Sequence, residues 1–352
     1  MTIRLVKREN PEWWMPAAVF LVSLLAALLI AGVLMAFMGV SPLRAYKEMI
    51  IGAFGTPYGL SETLVKAIPL MMMGLGVGLA FRMVLWNIGA EGQYCLGAIC
   101  AAGLALAFPA LPAMVMIPLM IAMGFLGGAL WGLVPGALRA YLGTSEIVTS
   151  LMLNYVGIYF LEYLVYGPWK DPRGYQFPMT AILPETTFLP QFGITRVHAG
   201  IVIALFMVAL FWVIMKKTKW GYEVRVTGEN PGAARYCGIK VERNILLVML
   251  VSGGLAGLAG MCELSGVQHR LQHGFALGYG YTAIIIAWLA RLNPLSIILV
   301  SVLFAGLMTS GDLLQMNLGA GAGLEGVIQG IILFFILAGG LFCEYRIVTG
   351  KE

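Results

Sequence analysis

From Gly92 to Leu138 the chain runs for 47 residues without a single charged side chain. A bilayer's hydrocarbon core, about 30 Å thick, takes roughly 20 helical residues to cross, so this stretch holds two crossings. Pro16 to Met38, 23 residues without a charge, holds another. Only 11% of the 352 residues are charged and 60% are hydrophobic, whereas soluble domains carry about a quarter charged residues. A chain of this kind cannot clothe a water-facing surface, and inside lipid each backbone polar group needs a partner within its own segment. The expected fold is therefore all-α, a polytopic transmembrane helical bundle. Arg4, Lys7 and Arg8 precede the first apolar run as they would in a secretory signal. That run exceeds the apolar core of a signal, typically about 7–15 residues, so it reads as an uncleaved first span.

Charges and turn residues divide the chain into ten expected spans: 15–38, 64–82, 90–108, 112–135, 145–166, 198–215, 244–264, 275–290, 293–311 and 324–343. The Pro109 and Pro112 turn splits the long uncharged run. Segments 64–82 and 275–290 are short or glycine-rich, which makes them candidates for broken or re-entrant helices. Lys and Arg set the orientation, since cytosolic loops collect them. With the N-terminus inside, the cytosolic side holds 15 of the 22, which predicts both termini in the cytosol. The net charge of +5 follows from this topology and does not point to nucleic acid. Small residues four apart, such as Gly124 with Gly128 and Gly253 with Gly257, suit close helix packing. The five cysteines form no CxxC pair and read as small apolar residues.

Two polar stretches interrupt the pattern. Gly167 to His198 carries five prolines and few charges and reads as an external loop. Lys216 to Asn244 holds 10 of the 39 charged residues and is the one sizeable cytosolic element. Within it Asn230 suits an N-cap, Pro231 the first helical position and Gly238 the left-handed position past a helix end. About two turns of helix lie between them, with Ala233 and Ala234 expected to be exposed. A helix so short needs a surface to lie on. It can be a docking helix for another protein or an ordinary capped linker.

Acids and amides inside apolar runs are costly and usually face an interior or a water-filled cavity. Asn87, Glu91, Gln93, Asn154 and Glu263 are the candidates for a solute path. Asn87 and Gln93 flank a Gly-Ala-Glu-Gly break able to offer backbone groups to a solute. Glu146, Glu162 and Glu325, near predicted helix ends, read as bridges between helices. Tyr155, Tyr159, Phe275, Tyr279, Tyr281 and Trp288 could stack on a solute or simply pack. His269 and His273 are four apart but have no acid near them in sequence, so no metal site is assigned. No nucleophile elbow, Walker A run or HExxH is present, and the chain is not expected to be an enzyme.

The stretch Lys219 to Lys240, followed by Ser252-Gly-Gly-Leu-Ala-Gly-Leu-Ala-Gly-Met-Cys-Glu263, resembles the permeases of ABC importers for branched-chain amino acids, ribose and nucleosides. Asn87-Ile-Gly-Ala-Glu-Gly-Gln93, Ser145 to Tyr155 and Tyr279 to Pro294 extend the resemblance, which is strongest to the nucleoside and simple-sugar branch. The chain departs from the family at Ala287-Trp-Leu-Ala-Arg291, where a glycine usually precedes the arginine and a smaller residue replaces Trp288. The resemblance implies a single membrane permease domain over 1–352 with inverted-repeat halves at 64–166 and 244–343 and a coupling loop at 216–243. It implies that Gly228, Glu229, Asn230, Pro231, Ala233, Ala234, Arg235 and Gly238 couple to an ABC ATPase subunit, which alone binds ATP; this chain needs no cofactor. A second permease subunit, homologous or identical, an extracytoplasmic substrate-binding lipoprotein and membrane lipid complete the implied partners, in the bacterial cytoplasmic membrane. The alternative is an ion-coupled secondary transporter working through the embedded acids.

Overall fold

The computed structural model describes residues 2–7, 14–174, 176–193, 195–318 and 323–350. It is built from helices α1 (Met15–Phe37), α2 (Pro42–Phe54), α3 (Pro57–Arg82), α4 (Ala90–Ala107), α5 (Ala113–Leu142), α6 (Glu146–Tyr166) and α7 (Gly200–Lys217). These are followed by α8 (Lys219–Glu229), α9 (Pro231–Tyr236), α10 (Val241–Glu263), α11 (Tyr279–Leu289), α12 (Pro294–Leu318) and α13 (Leu324–Glu344). A π-turn, Leu264–Gln268, extends α10. Each of the ten expected spans has its helix. Eight are long and apolar enough to cross a membrane, and the apolar stretches of α11 and α13 are shorter.

The sequence makes two segments candidates for broken or re-entrant helices. Segment 64–82 is not broken: α3 runs unbroken through Pro69 for 26 residues. The 275–290 segment is helical only from Tyr279, so α11 has 11 residues, about 16 Å of helix. The helices α2 and α8, 13 and 11 residues long, are too short to span and are amphipathic.

The chain divides into two compact units, Met1–Leu60 with Gly306–Glu352, and Ser61–Ala305. In the first, α1 packs along α13, with Gly339 lying against the Ser23 side chain. Tyr46 on α2 donates to the Leu28 carbonyl of α1 at 2.5 Å. Strand β1 (Thr2–Lys7) pairs antiparallel with β2 (Tyr345–Gly350), from Thr2 opposite Gly350 to Lys7 opposite Tyr345. The two ends of the chain therefore lie side by side. Cys343 lies outside the described side chains; Cys95 and Cys262 are buried, Cys100 is half-buried and Cys237 is exposed.

The second unit is built around α4, α5 and α10. Gly128 and Gly132 of α5 and Gly253 and Gly257 of α10 lie so close to the facing helix that an added Cβ would strike its backbone, and one on Gly124 would strike the Met261 side chain. Lipid supplies no hydrophobic drive for helix pairing, and this approach replaces it with close van der Waals contact. The segment between α6 and α7 lies over the π-turn end of α10. Its backbone amides at Thr180, Leu183 and Leu189 donate to the carbonyls of Leu271, His269 and Ser265 at 2.9, 2.9 and 3.0 Å.

Candidate functional site

The polar residues of the second unit converge where two helices begin. Glu91 sits in the first turn of α4, and its carboxylate accepts from the amides of Gly278 and Gly280 at 2.7 and 2.5 Å. Those amides open α11, so a carboxylate of one helix start neutralises the positive end of another. The opening of α4 is tied in turn by Asn154 of α6, whose Oδ1 accepts from Gly92 at 2.8 Å and whose Nδ2 donates to the Ile88 carbonyl at 2.6 Å. Asn154 lies eight residues from the start of α6, about 12 Å along that helix, which places this junction at depth.

Asn87 and Gln93 close a reciprocal pair: Asn87 Nδ2 donates to Gln93 Oε1 at 2.9 Å, and Gln93 Nε2 returns a bond to Asn87 Oδ1 at 3.0 Å. Asn87 also donates to Ser252 Oγ of α10 at 2.8 Å, and Ile88 donates to Ser150 Oγ at 3.2 Å. Asn87, Glu91, Gln93 and Asn154 are all buried. Four of the five expected path residues thus form one junction: Asn87 and Gln93 bond each other, and Glu91 and Asn154 bond backbone groups of neighbouring segments. Ser150, Ser252 and Tyr281 complete the junction; Tyr281 Oη lies 3.5 Å from Asn154 Nδ2. Single serines in apolar runs gave no pattern to find them by.

Glu263 stands apart, in the last turn of α10, and accepts from Gln268 at 3.3 Å. Around the π-turn several buried polar atoms have no hydrogen-bond partner among the described residues: Tyr94 Oη, Ser265 Oγ, Gln268 Oε1 and His269 Nδ1. Tyr94 packs against Phe275 and Tyr279, with ring centroids 5.1 and 6.1 Å away. His269 stacks on Phe188 at 3.8 Å. Burial, and then the neighbouring His269, push the His198 imidazole down to about 4, so it is neutral near pH 7. His273, by contrast, is not without an acid: Glu162 of α6 meets its Nδ1 at 2.7 Å. Glu146 bridges helices as expected, reaching Arg139 and the Trp86 amide at 3.3 Å each.

The segment expected to couple to a motor forms α9, with Asn230 Oδ1 accepting from Ala233 at 3.0 Å and Gly238 in the left-handed region at φ +78°. Pro231, Ala233 and Arg235 are exposed, and Arg235 pairs with Glu242 at 2.8 Å. Ala234, expected to be exposed, is fully buried; a two-turn helix resting on a bundle must turn one side inward, and Ala234 is on that side. Just before α9, Gly228 lies against the carbonyl of Arg82 at the end of α3, with no room for a Cβ. The Arg82 guanidinium in turn donates to the Leu292 carbonyl at 2.6 and 3.2 Å. Leu292 and Arg291 adopt positive φ in the turn after α11. In the departure at 287–291, Trp288 completes an aromatic cluster with Phe81 and Trp86, centroids 5.9 and 5.8 Å away.

These features define a helical membrane subunit with a buried polar junction and a helical loop pressed against the bundle. The chain belongs to the family described as branched-chain amino acid transport system / permease component, whose model matches residues 59–337. It is 35% identical to the glucose ABC transporter permease protein TsgB13 of Haloferax volcanii, over 98% of this chain and 93% of that protein. It is 30% identical to the guanosine ABC transporter permease protein NupP of Bacillus subtilis (94% and 95% covered) and to the nucleoside ABC transporter permease protein NupB of Lactococcus lactis (90% and 89%). The chain is a multi-pass permease subunit of an ABC importer; its role is transport and not catalysis, and it is not an ion-coupled secondary carrier.

Proposed function

We propose that the solute is uncharged and hydroxyl-rich, a nucleoside or a simple sugar, and that it moves when partner ATPases act on α8 and α9. The observation that carries the solute reading is near full-length similarity to permeases named for glucose, guanosine and nucleosides. The chemistry of the junction agrees: it offers amides, hydroxyls and a carboxylate already held by two backbone amides, and those groups supply no cation to receive a phosphate or carboxylate. On this reading Asn87, Glu91, Gln93 and Asn154 hold the wall of the path in shape, and Glu263 stands on its outer reach.

The coupling role rests on α9 presenting Pro231, Ala233, Arg235 and Tyr236 outward, Tyr236 at 94% exposure, while Gly228 bears on Arg82. Glu229, Asn230 and Gly238 shape the helix ends. ATP binds the ATPase subunits; a second permease and an extracytoplasmic binding lipoprotein complete the assembly in the bacterial cytoplasmic membrane. Radiolabelled guanosine and glucose uptake by right-side-out vesicles loaded with ATP and carrying the whole transporter tests the solute reading. ATP-dependent uptake of one of them, competed by the unlabelled compound, is expected. Uptake of only a charged amino acid overturns it.

A further inference from the structure

The exposed faces of the second unit's helices are mostly aliphatic. On α7 the outward residues are Val202, Leu205, Phe206, Leu210 and Val213, and on the first half of α12 they are Leu295, Leu299 and Leu303. Such faces suit acyl chains. The outward face of α6 differs: beside the exposed Val148, Met152 and Val156 it carries four tyrosines. Tyr155, Tyr159, Tyr163 and Tyr166 are 49, 68, 65 and 55% exposed. Spaced by four, four and three residues, they fall within about 80° of one another on a helix and rise together over about 16 Å. Glu162 shares that face and pairs with His273.

A tyrosine hydroxyl is at home where one end of the ring is wet, as at a membrane–water interface. Tyr155 and Tyr159 lie at the tenth and fourteenth positions of the 21-residue α6, well inside its span. In hydrocarbon their hydroxyls would lose water with nothing in return, and Glu162 still more so. The face also has defined ends. At the inner end Tyr281 lies beside Asn154 and the buried junction. At the outer end Tyr166 meets His273 edge-on at 5.9 Å, and His273 lines a cleft of about 510 Å³ with Arg270, Gln272, Phe177 and Met179. A row of phenols about one helical turn apart thus runs between the outer cleft and the junction.

We propose that Tyr155, Tyr159 and Tyr163 form a stacking ladder along which an uncharged solute passes, its ring or sugar C–H face against successive phenols and its hydroxyls bonded to theirs. Phenol faces bind flat or alicyclic rings without demanding charge, and equal rungs avoid a single deep well that would hold the solute. The inference rests on the solute reading above and assigns the contact residues that reading leaves open; Phe275 and Tyr279, buried in the core, are not among them.

The test uses cells expressing the whole transporter in a Cys100→Ser, Cys237→Ser, Cys343→Ser background, with Tyr155→Cys, Tyr159→Cys or Tyr163→Cys added and Phe206→Cys as the lipid-facing comparison. A membrane-impermeant cationic methanethiosulfonate should label the three ladder positions at least tenfold faster than position 206, and saturating guanosine or glucose should slow that labelling severalfold. Tyr159→Phe, which keeps the ring face and loses the hydroxyl, should raise KM severalfold, and Tyr159→Ala should raise it tenfold or more. Labelling no faster than at position 206 would overturn the ladder, whether lipid or the second permease covers the face. Labelling that neither solute slows, with an unchanged KM in Tyr159→Ala, would overturn it too. ATP-dependent uptake by the parent background is scored separately, so the importer reading stands or falls on its own result.

Discussion

At the scale of single residues, Gly228 carries the strictest steric demand in the loop between α7 and α10. The Arg82 carbonyl occupies the position a Cβ would take, so even Gly228→Ala must push α8 away from the end of α3. Forced overpacking of this kind costs roughly 1–3 kcal/mol. The detergent-solubilised variant should melt several degrees lower and, on the coupling role proposed for α8 and α9, should uncouple transport from ATP hydrolysis. Ala233→Asp makes the complementary change. Ala233 is exposed, so the melting temperature should stay put while co-purification of the ATPase falls at least tenfold. Undiminished co-purification would remove α9 from the docking surface. Ala234 is the wrong position for this experiment, since a carboxylate there would be buried and would lower stability whether or not α9 docks.

Among the elements, the meeting of α4 and α11 has the clearest consequence. A glutamate carboxylate can accept from both Gly278 and Gly280; a glutamine has one acceptor oxygen and would aim an N–H₂ at an amide donor. Glu91→Gln should therefore leave one buried donor unmet, at about 1–3 kcal/mol, and loosen the start of α11. The expected signs are faster hydrogen exchange across 278–284 and a lower melting temperature; unchanged exchange there would show that the carboxylate does not hold that helix start. Little of this junction could be read ahead of the coordinates. Asn87, Glu91, Gln93 and Asn154 stand out in sequence because polar residues in apolar runs are costly, and a local rule finds them. Asn87 and Gln93 pair across only six positions, but Asn154 and Glu91 find backbone amides 62 and 189 positions away, and no periodicity encodes such partners. The caps of α9 were legible because Asn230, Pro231 and Gly238 act on their own neighbours. The burial of Ala234 was not, since it depends on what α9 rests upon. The ten apolar helices were legible for the plainest reason, that lipid forces each to satisfy its backbone internally.

For the molecule as a whole, topology turns on where the two ends of the chain lie. β1 and β2 pair in register over six residues each, so both ends must sit on one side of the membrane, which requires an even number of crossings between them. Ten crossings satisfy this, provided that α11, only 11 residues long, brings the chain back across together with the extended segment that leads into it. The same parity comes from charge: an even count places the basic residues of both termini on the side that already holds Lys216, Lys217, Lys219 and Arg225. Two independent constraints, one from backbone pairing and one from charge, thus agree on parity, and charge alone chooses the cytosolic side. Reporter fusions test the choice. Green fluorescent protein fused to either end should fluoresce, and alkaline phosphatase at the same points should stay inactive. A fusion after Phe192, in the segment between α6 and α7, should show the reverse. Opposite behaviour of the two termini would require an odd number of crossings; α11 would then be a hairpin that enters and leaves by the same face, and α8 with α9 would need to be placed afresh.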